Sequence, residues 1–178
     1  MAYNNINNLT TLVTQVEVIT QCITNVNFDK YLISHDIIKL AEITHIEKPL
    51  GRPFYEELVT QHAGASLTAA NTTLFDDYLK RCLCWFVKFE VMNDVQYNTT
   101  SSGIVTNIDD FSQTVSNEQF NLMKQDVFRK ANLFLQDMLD FLTDENNLAN
   151  YPTFRDNKHD TDVLGDTSAN KAHGIIFY

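Results

Sequence analysis

Residues 46–58 read IEKPLGRPFYEEL, and this stretch separates two predicted helices in the first third of the chain. Pro49 disfavours helical backbone in the residue before it, so the first of these helices is expected to end at Lys48. Gly51 permits a tight turn, and Pro53 suits the first position of the following helix. We therefore interpret Pro49, Gly51 and Pro53 as a structural hinge between two short helices.

The two short helices on either side of the hinge have recognisable ends. The first is predicted to begin after Ser34, a favourable N-cap. The second is predicted to end where Gly64 takes the left-handed position that follows many helices. Apolar residues of the first helix recur at helical spacing and predict a stripe that faces the core. This stripe consists of Ile37, Leu40, Ala41, Ile43 and Ile46.

Two longer helices are predicted downstream. The third begins at Thr73, which can cap it together with Asp76, and runs to about Tyr97. The fourth begins with a capping box formed by Ser116 and Gln119. Each spans roughly 35–40 Å at the α-helical rise per residue, and we expect the two to pack antiparallel. Their predicted core faces consist of Leu74, Phe75, Tyr78, Leu79, Cys82, Phe86 and Phe89, and of Phe120, Met123, Val127, Ala131, Phe134, Met138 and Leu142.

These patterns predict an all-α fold: a helical bundle with two long antiparallel helices, two shorter ones, an extended N-terminal arm and an irregular C-terminal tail. We divide the chain into the arm, residues 1–32, a helical core, residues 33–143, and the tail, residues 144–178. Residues 11–20 of the arm are rich in β-branched side chains and predict a short strand, although their length also permits a helix.

Three segments are predicted to contact other molecules: the β-prone part of the arm, the connection 98–115 and the apolar C-terminus. Residues 98–115 form a longer connection than the roughly 2–8 residues usual between helices, and we expect it to reach outward from the bundle tip. The tail closes on an apolar pentapeptide, residues 174–178, which indicates a docking element, although packing on its own domain stays open. Tyr151 and Phe154 are expected to dock on the core. The proposed interaction residues are Ile104, Val105, Ile175, Ile176, Phe177 and Tyr178.

The composition is that of one soluble globular domain. The chain has 178 residues, 44% of them hydrophobic and 20% charged, which is enough for a single core. Its formal net charge is −10, and its 13 lysines and arginines are scattered, which argues against a face that grips nucleic acid. No apolar run approaches the ~20 residues of a membrane span, and residues 1–11 lack the pattern of a secretory signal.

The Cys, His and Asp side chains that could act in catalysis or bind a metal do not form a catalytic or metal-binding pattern. We interpret Cys22, Cys82 and Cys84 as reduced and buried, because the last two would point to different faces of the most apolar helical segment. His35 and His45 lack the spacing of a zinc site and predict surface or capping roles. An acidic cluster in the tail lacks the spacing of a calcium-binding loop and predicts a solvated loop. It consists of Asp156, His159, Asp160, Asp162 and Asp166. We expect no enzymatic activity, no metal and no cofactor.

The hinge and its flanking helices carry a resemblance to a known family. An amphipathic helix containing residues 37–46, IIKLAEITHI, is followed by residues 49–58, PLGRPFYEEL, and then by two long helices. This order resembles the head–tail connector, or adaptor, proteins of tailed bacteriophages, and most of all those of phages of gut Bacteroidetes, including crAss-like phages. The resemblance covers residues 26–143 and is carried mainly by the hinge, since long helices are generic. The tail beyond residue 143 has no counterpart in it.

The resemblance implies a helical subunit that assembles into a ring, typically of about twelve copies, in the neck of the virion. Such a ring joins the portal to the tail and extends the channel through which DNA passes without specific binding. Its partners are further copies of itself, the portal protein, and tail or other neck proteins. The resemblance implies no catalytic residue, no cofactor and no membrane contact, and synthesis in the host cytoplasm.

Two other functions remain open. The chain is also compatible with a different phage neck or tail-completion protein, because these share small acidic helical subunits. It is also compatible with a cellular helical-bundle interaction module. Position in the particle distinguishes a connector from another neck protein, and a stable monomer with a specific cellular partner would favour the cellular module.

Overall fold

The structure is a computed structural model that describes residues 10–23, 30–100, 103–106 and 116–157. Helices dominate these ranges, so the predicted all-α class is confirmed. The described helices are more numerous than the predicted two long and two short ones. Their bounds are α1 Gln15–Cys22, α2 His35–Ala41, α3 Lys48–Leu50, α4 Arg52–Ala63, α5 Ala69–Thr73, α6 Lys80–Gln96, α7 Asn117–Thr143, α8 Glu145–Leu148 and α9 Pro152–Asn157. A short 3₁₀ turn at Lys30–Leu32 precedes α2.

The helix before the hinge continues through Pro49 instead of ending at Lys48 as predicted. A π-helical segment, Glu42–Glu47, joins α2 to α3 without a break in helical backbone. A π turn is wider than an α turn, which relieves the clash that a proline ring makes with the carbonyl of the preceding turn. Gly51, with φ 78° and ψ 140°, ends this helix, and Pro53 is the second residue of α4 rather than the first.

The strand predicted for residues 11–20 is wrong, because α1 occupies most of this segment. Thr14 accepts a hydrogen bond from the Glu17 amide, and the Glu17 carboxylate accepts one from the Thr14 amide, a complete capping box. Val18 and Cys22, four residues apart, are both buried on the face that packs against α6. The cap and this spacing outweigh the strand preference of the β-branched side chains.

Two helix ends also differ from their predictions. Thr68, not Thr73, caps the long helix, accepting a hydrogen bond from the Asn71 amide. A second π-helical segment, Leu74–Leu79, joins α5 to α6. At the end of α4 the left-handed residue is Ala65, with φ 49°, while Gly64 has φ −84°.

The helices α6 and α7 run in opposite directions along one another. Ring contacts pair Phe89 and Trp85 of α6 with Phe128 and Phe134 at 4.8 Å and 6.2 Å between centroids. Tyr78, in the π-helical segment that leads into α6, pairs with Phe141 at 4.3 Å. Residue numbers therefore fall along α7 as they rise along the other helix. The start of α7 is as predicted, with Ser116 and Gln119 forming the capping box.

Most predicted core residues are buried, but the exceptions are informative. Ala41 and Ile46 are fully buried, as expected for the first stripe. Leu40, Ile43 and Met123 belong to the predicted stripes but are 51%, 47% and 55% exposed. The core itself is one continuous cluster that includes residues from Leu12 to Phe154.

The connection between α6 and α7 contains a β-hairpin rather than only a loop. Strands β1, Tyr97–Thr100, and β2, Gly103–Thr106, pair antiparallel. Ile104 lies opposite Thr99, and Val105 lies opposite Asn98. The remainder of the predicted connection, residues 107–115, lies outside the described ranges.

The first part of the tail packs on the core. Tyr151 and Phe154 are 2% and 1% exposed, so their predicted docking is confirmed. The proposed interaction residues Ile175, Ile176, Phe177 and Tyr178 lie outside the described residues, as do His159, Asp160, Asp162 and Asp166 of the acidic cluster.

Candidate interaction surface

The hinge is partly buried and is anchored in the core by Gly51 and by the Phe54 ring. Gly51 is buried where two helices meet, and the Phe54 ring lies one turn into α4. Its centroid is 6.0 Å from that of Tyr151 and 5.8 Å from that of Phe154. The hinge therefore holds α4 in place for the start of the tail to pack against it. Of its three residues, Gly51 is buried, Pro49 is partly buried and Pro53 is exposed.

A buried carboxylate ties the N-terminal segment to the hinge. Glu42 is fully buried, and one of its oxygens accepts a hydrogen bond of 2.6 Å from the Leu12 amide. The other oxygen accepts a hydrogen bond of 2.7 Å from the Tyr55 hydroxyl and lies 3.0 Å from the Lys39 ammonium. A buried charge is tolerable only when it is paired and hydrogen-bonded in this way.

The Tyr55 hydroxyl is a fixed structural donor in this network. Burial raises its pKa, and so does the hydrogen bond that it donates to the Glu42 carboxylate. Lys39 donates a further hydrogen bond of 2.7 Å to the same hydroxyl oxygen. The arrangement holds its proton in place and stabilises the packing of residues 10–14 on the hinge.

The three cysteines are buried and in the thiol form, as predicted. Burial raises the pKa of Cys22 to about 12, and it raises the pKa values of Cys82 and Cys84 still further above the ordinary range. Thiols of this kind are weak nucleophiles because the reactive thiolate is scarce. Within the described ranges, no group of three or more His, Cys, Asp or Glu side chains is placed to hold a metal ion.

His45 lies between helices, which corrects the predicted surface or capping role. Its ring stacks on Phe86 at 4.2 Å between centroids, with an interplanar angle of 4°. Its Nε2 lies 2.7 Å from a Glu90 carboxylate oxygen, and its side chain is 13% exposed. His35, in contrast, is exposed at the first position of α2.

Large apolar side chains remain exposed on several elements. Two of them, Leu40 and Ile43, lie about one helical turn apart and are flanked at similar spacing by Asp36 and Glu47. We name these four residues the acidic stripe. The large hydrophobic residues exposed in the described ranges are Val16, Tyr31, Leu40, Ile43, Leu122, Met123 and Leu133.

Cationic side chains cover aromatic rings where α6 and α7 pack. The ammonium groups of Lys88 and Lys130 lie 4.9 Å and 5.5 Å from the Trp85 ring centroid. The Arg81 guanidinium lies 5.5 Å from the Phe134 centroid, and the two aromatic rings are 6.2 Å apart. Together with the exposed neighbour Leu133, we name this surface the cationic ledge. It consists of Arg81, Trp85, Lys88, Lys130, Leu133 and Phe134.

The sequence did not predict this surface. The basic residues are scattered along the chain, yet α6 and α7 together carry six of the 13 lysines and arginines. A partial signal was present, since Arg81, Trp85 and Lys88 recur at intervals of four and three residues and must share one helix face. The contribution of Lys130 and Phe134 depends on the register between the two helices, which no local pattern specifies.

The fold defines a small, predominantly helical protein. Residues 46–162, about two thirds of the chain, match the Family of unknown function (DUF6712), and the chain belongs to this family. The match includes the whole hinge, the hairpin and the cationic ledge. No curated protein and no solved structure matches the chain. None of the described helices is long and apolar enough to span a membrane.

Proposed function

We propose that this protein is a structural subunit of the virion neck in a tailed phage, forming a ring that joins the portal to the tail and extends the DNA channel. In this role the subunit contacts further copies of itself laterally and the portal and tail proteins axially. The chemistry required is surface complementarity, without a catalytic step or a cofactor. DNA passes through the lumen of the ring without specific binding.

The observation that carries the proposal is apolar surface that the single chain leaves uncovered. Leu40, Ile43 and Met123 continue the apolar stripes of their own helices yet are about half exposed. Scattered exposed apolar residues are normal, but an apolar helix stripe that extends beyond the buried core favours contact with another molecule. A subunit with neighbours on two sides needs such surfaces.

The helical core suits a ring subunit. We propose that α6 and α7 form the two long antiparallel helices of a connector bundle, with α2 and α4 as its shorter helices. The hairpin continues directly from α6 and would reach a neighbouring copy or the portal, with Ile104 and Val105 as contacts. The apolar residues Ile175, Ile176, Phe177 and Tyr178 would supply a docking element.

Quantitative mass spectrometry of purified particles from the source tests the proposal. The copy number of this chain is measured against those of the portal and major capsid proteins in the same sample. We expect a copy number close to that of the portal, about a dozen, since ring subunits of one neck match in number. Absence from the particle would overturn the proposal and favour a cellular interaction module.

A further inference from the structure

The cationic ledge is suited to contact an acidic partner. Its cations rest on aromatic faces, so their side chains are ordered by contact before any partner binds. Lys130 already lies 2.6 Å from Asp126, and Lys88 donates a hydrogen bond of 2.7 Å to the Cys22 carbonyl. Arg81 is exposed and makes no ion pair within the described ranges, so its charge is available.

The acidic stripe has the complementary composition. Asp36 is exposed and Glu47 is partly exposed, and neither makes an ion pair within the part of the chain that the structure describes. Between them lie the exposed side chains of Leu40 and Ile43. Lys48 adds an opposing charge at the end of the stripe, and Arg52 also interacts electrostatically with Glu47. The stripe thus presents an apolar centre between two carboxylates, while the ledge presents Trp85, Leu133 and Phe134 among three cations.

We infer that the acidic stripe of one copy docks on the cationic ledge of the next copy. Apolar side chains would meet at the centre of this contact, and Asp36 and Glu47 would face Arg81 and Lys130. The two surfaces lie on different elements of the same chain, so the contact is head-to-tail. A head-to-tail contact repeated by a fixed rotation closes into a ring, whereas a symmetric contact stops at a dimer.

This inference rests on the proposed function, because it names the lateral contact that a neck ring would use. The rest of the chain is acidic, so a second copy can supply the carboxylates that the cationic ledge attracts. A second copy is therefore favoured as the occupant. Charge complementarity of this kind fixes register and suppresses wrong contacts.

Disulfide trapping tests the contact directly. An Ile43→Cys variant and a Leu133→Cys variant are mixed at high protein concentration and oxidised, and the products are separated by non-reducing electrophoresis. The native cysteines are buried, so they do not compete. We expect the mixed dimer to form in excess over either homodimer. Thr60→Cys, at an exposed position on α4, replaces Ile43→Cys in the matched control and should trap little.

Charge reversal distinguishes a specific contact from random collision. The changes Arg81→Glu and Lys130→Glu, added to the Leu133→Cys chain, should reduce the trapped mixed dimer roughly tenfold or more. The changes Asp36→Lys and Glu47→Lys on the Ile43→Cys chain should restore it. Restoration would also show that the reversed chain is folded. Melting curves of each variant provide an independent check of folding.

Each outcome bears on the inference separately from the proposed function. No mixed dimer, equal trapping with the Thr60→Cys control, or no response to charge reversal would overturn the stripe-to-ledge contact. A portal-matched copy number in particles would still support the neck role in that case. Specific trapping by a chain that is absent from particles would keep the contact and reject the phage assignment.

Discussion

Replacing the buried Glu42 should lower the free energy of unfolding strongly for so small a change in side chain. Glu42 is fully buried and holds three donors, from Leu12, Lys39 and Tyr55. In Glu42→Gln the side-chain volume is kept, but the charge that pairs with the Lys39 ammonium is lost. We expect the free energy of unfolding to fall by about 1.5–3 kcal/mol, the range for hydrogen bonds to charged groups. Urea denaturation at neutral pH measures it.

A surface ion pair provides the control for this change. Arg52 and Glu56 lie 2.8 Å apart with side chains 76% and 59% exposed. Exposed pairs contribute little because water and salt screen them. Glu56→Gln should therefore leave the urea midpoint within error of the original. Equal losses in the two variants would mean that Glu42 is no more important than a surface carboxylate.

Gly51 should be the less replaceable of two glycines that flank α4. Its φ of 78° lies in the region that side chains disfavour, so Gly51→Ala should cost about 1–2 kcal/mol. Gly64 has φ −84°, and an added Cβ would meet the rotatable Ser66 hydroxyl at 3.2 Å and the Thr60 and Gln61 carbonyl oxygens at ordinary contact distances of 3.4 Å and 3.9 Å. Gly64→Ala is thus the matched control. Thermal melting compares the two, and a smaller loss at Gly51 would contradict the hinge interpretation.

At the scale of single residues, some features could be predicted from the sequence and others could not. The positive φ of Gly51 and the burial of the cysteines were predictable, because each follows from the residue type in its local context. The burial of Glu42 was not, since a glutamate on a helix ordinarily faces water. Only the positions of Leu12 and Tyr55, distant in sequence, make a buried carboxylate favourable there.

At the scale of elements, α1 depends on the ionised form of Glu17. Partial burial raises the pKa of this carboxyl, but hydrogen bonds from Thr14 and the nearby Lys80 ammonium outweigh it, and the pKa lies below its usual value of 4.5. A lowered folded-state pKa gives stability that is complete above 4.5 and is lost as the pH falls through the folded value. Acid should therefore weaken α1.

The comparison with Glu17→Gln isolates this effect. At neutral pH the variant should be less stable than the original chain, because the charged capping box and the Lys80 contact are lost. As the pH falls through the lowered pKa of Glu17, the original carboxyl protonates as well, so the difference should shrink. Urea unfolding at neutral pH and over this acidic range measures it. A difference that stays constant with pH would show that the charge of Glu17 is irrelevant.

The π-helical segments explain why the element boundaries were predicted poorly. Regular α-helical spacing predicts buried positions at alternating intervals of three and four residues. Across the first π-helical segment, the buried positions Ile38, Glu42, Ile46 and Leu50 instead recur every four residues. Such a stripe drifts around an α-helix, and a π turn compensates the drift. Ile43, which lies within the first π segment, is left exposed, whereas Ile46 is buried.

At the scale of the whole molecule, the continuous core predicts cooperative unfolding. One cluster includes residues from Leu12 to Phe154, so the first and last described elements share it. Trp85, the only tryptophan, packs against Phe134 and reports on the α6–α7 contact. Its fluorescence and the far-ultraviolet circular dichroism should therefore melt together. Fluorescence melting before helicity would indicate that the two long helices separate independently of the rest.

The charge of the whole molecule predicts how it meets DNA. The net charge is −10, so a subunit and a duplex repel at long range. The largest group of described basic residues opposing this is the six on α6 and α7, and three of them, Lys80, Arg129 and Lys130, already form ion pairs within the chain. We expect no binding to a fluorescently labelled duplex at physiological salt. Fluorescence anisotropy across a salt series measures it.

The same titration decides what the cationic ledge recognises. Phosphate contacts through Lys and Arg weaken steeply as salt rises, because bound counterions are released. Binding with that steep dependence, abolished by Arg81→Glu and Lys130→Glu, would assign the ledge to nucleic acid and reject a second copy as its occupant. We expect no binding by either the original chain or the variant with Arg81→Glu and Lys130→Glu. That result leaves the ledge for the carboxylates of a second copy, as inferred above, and the chain has 23 aspartates and glutamates to supply them.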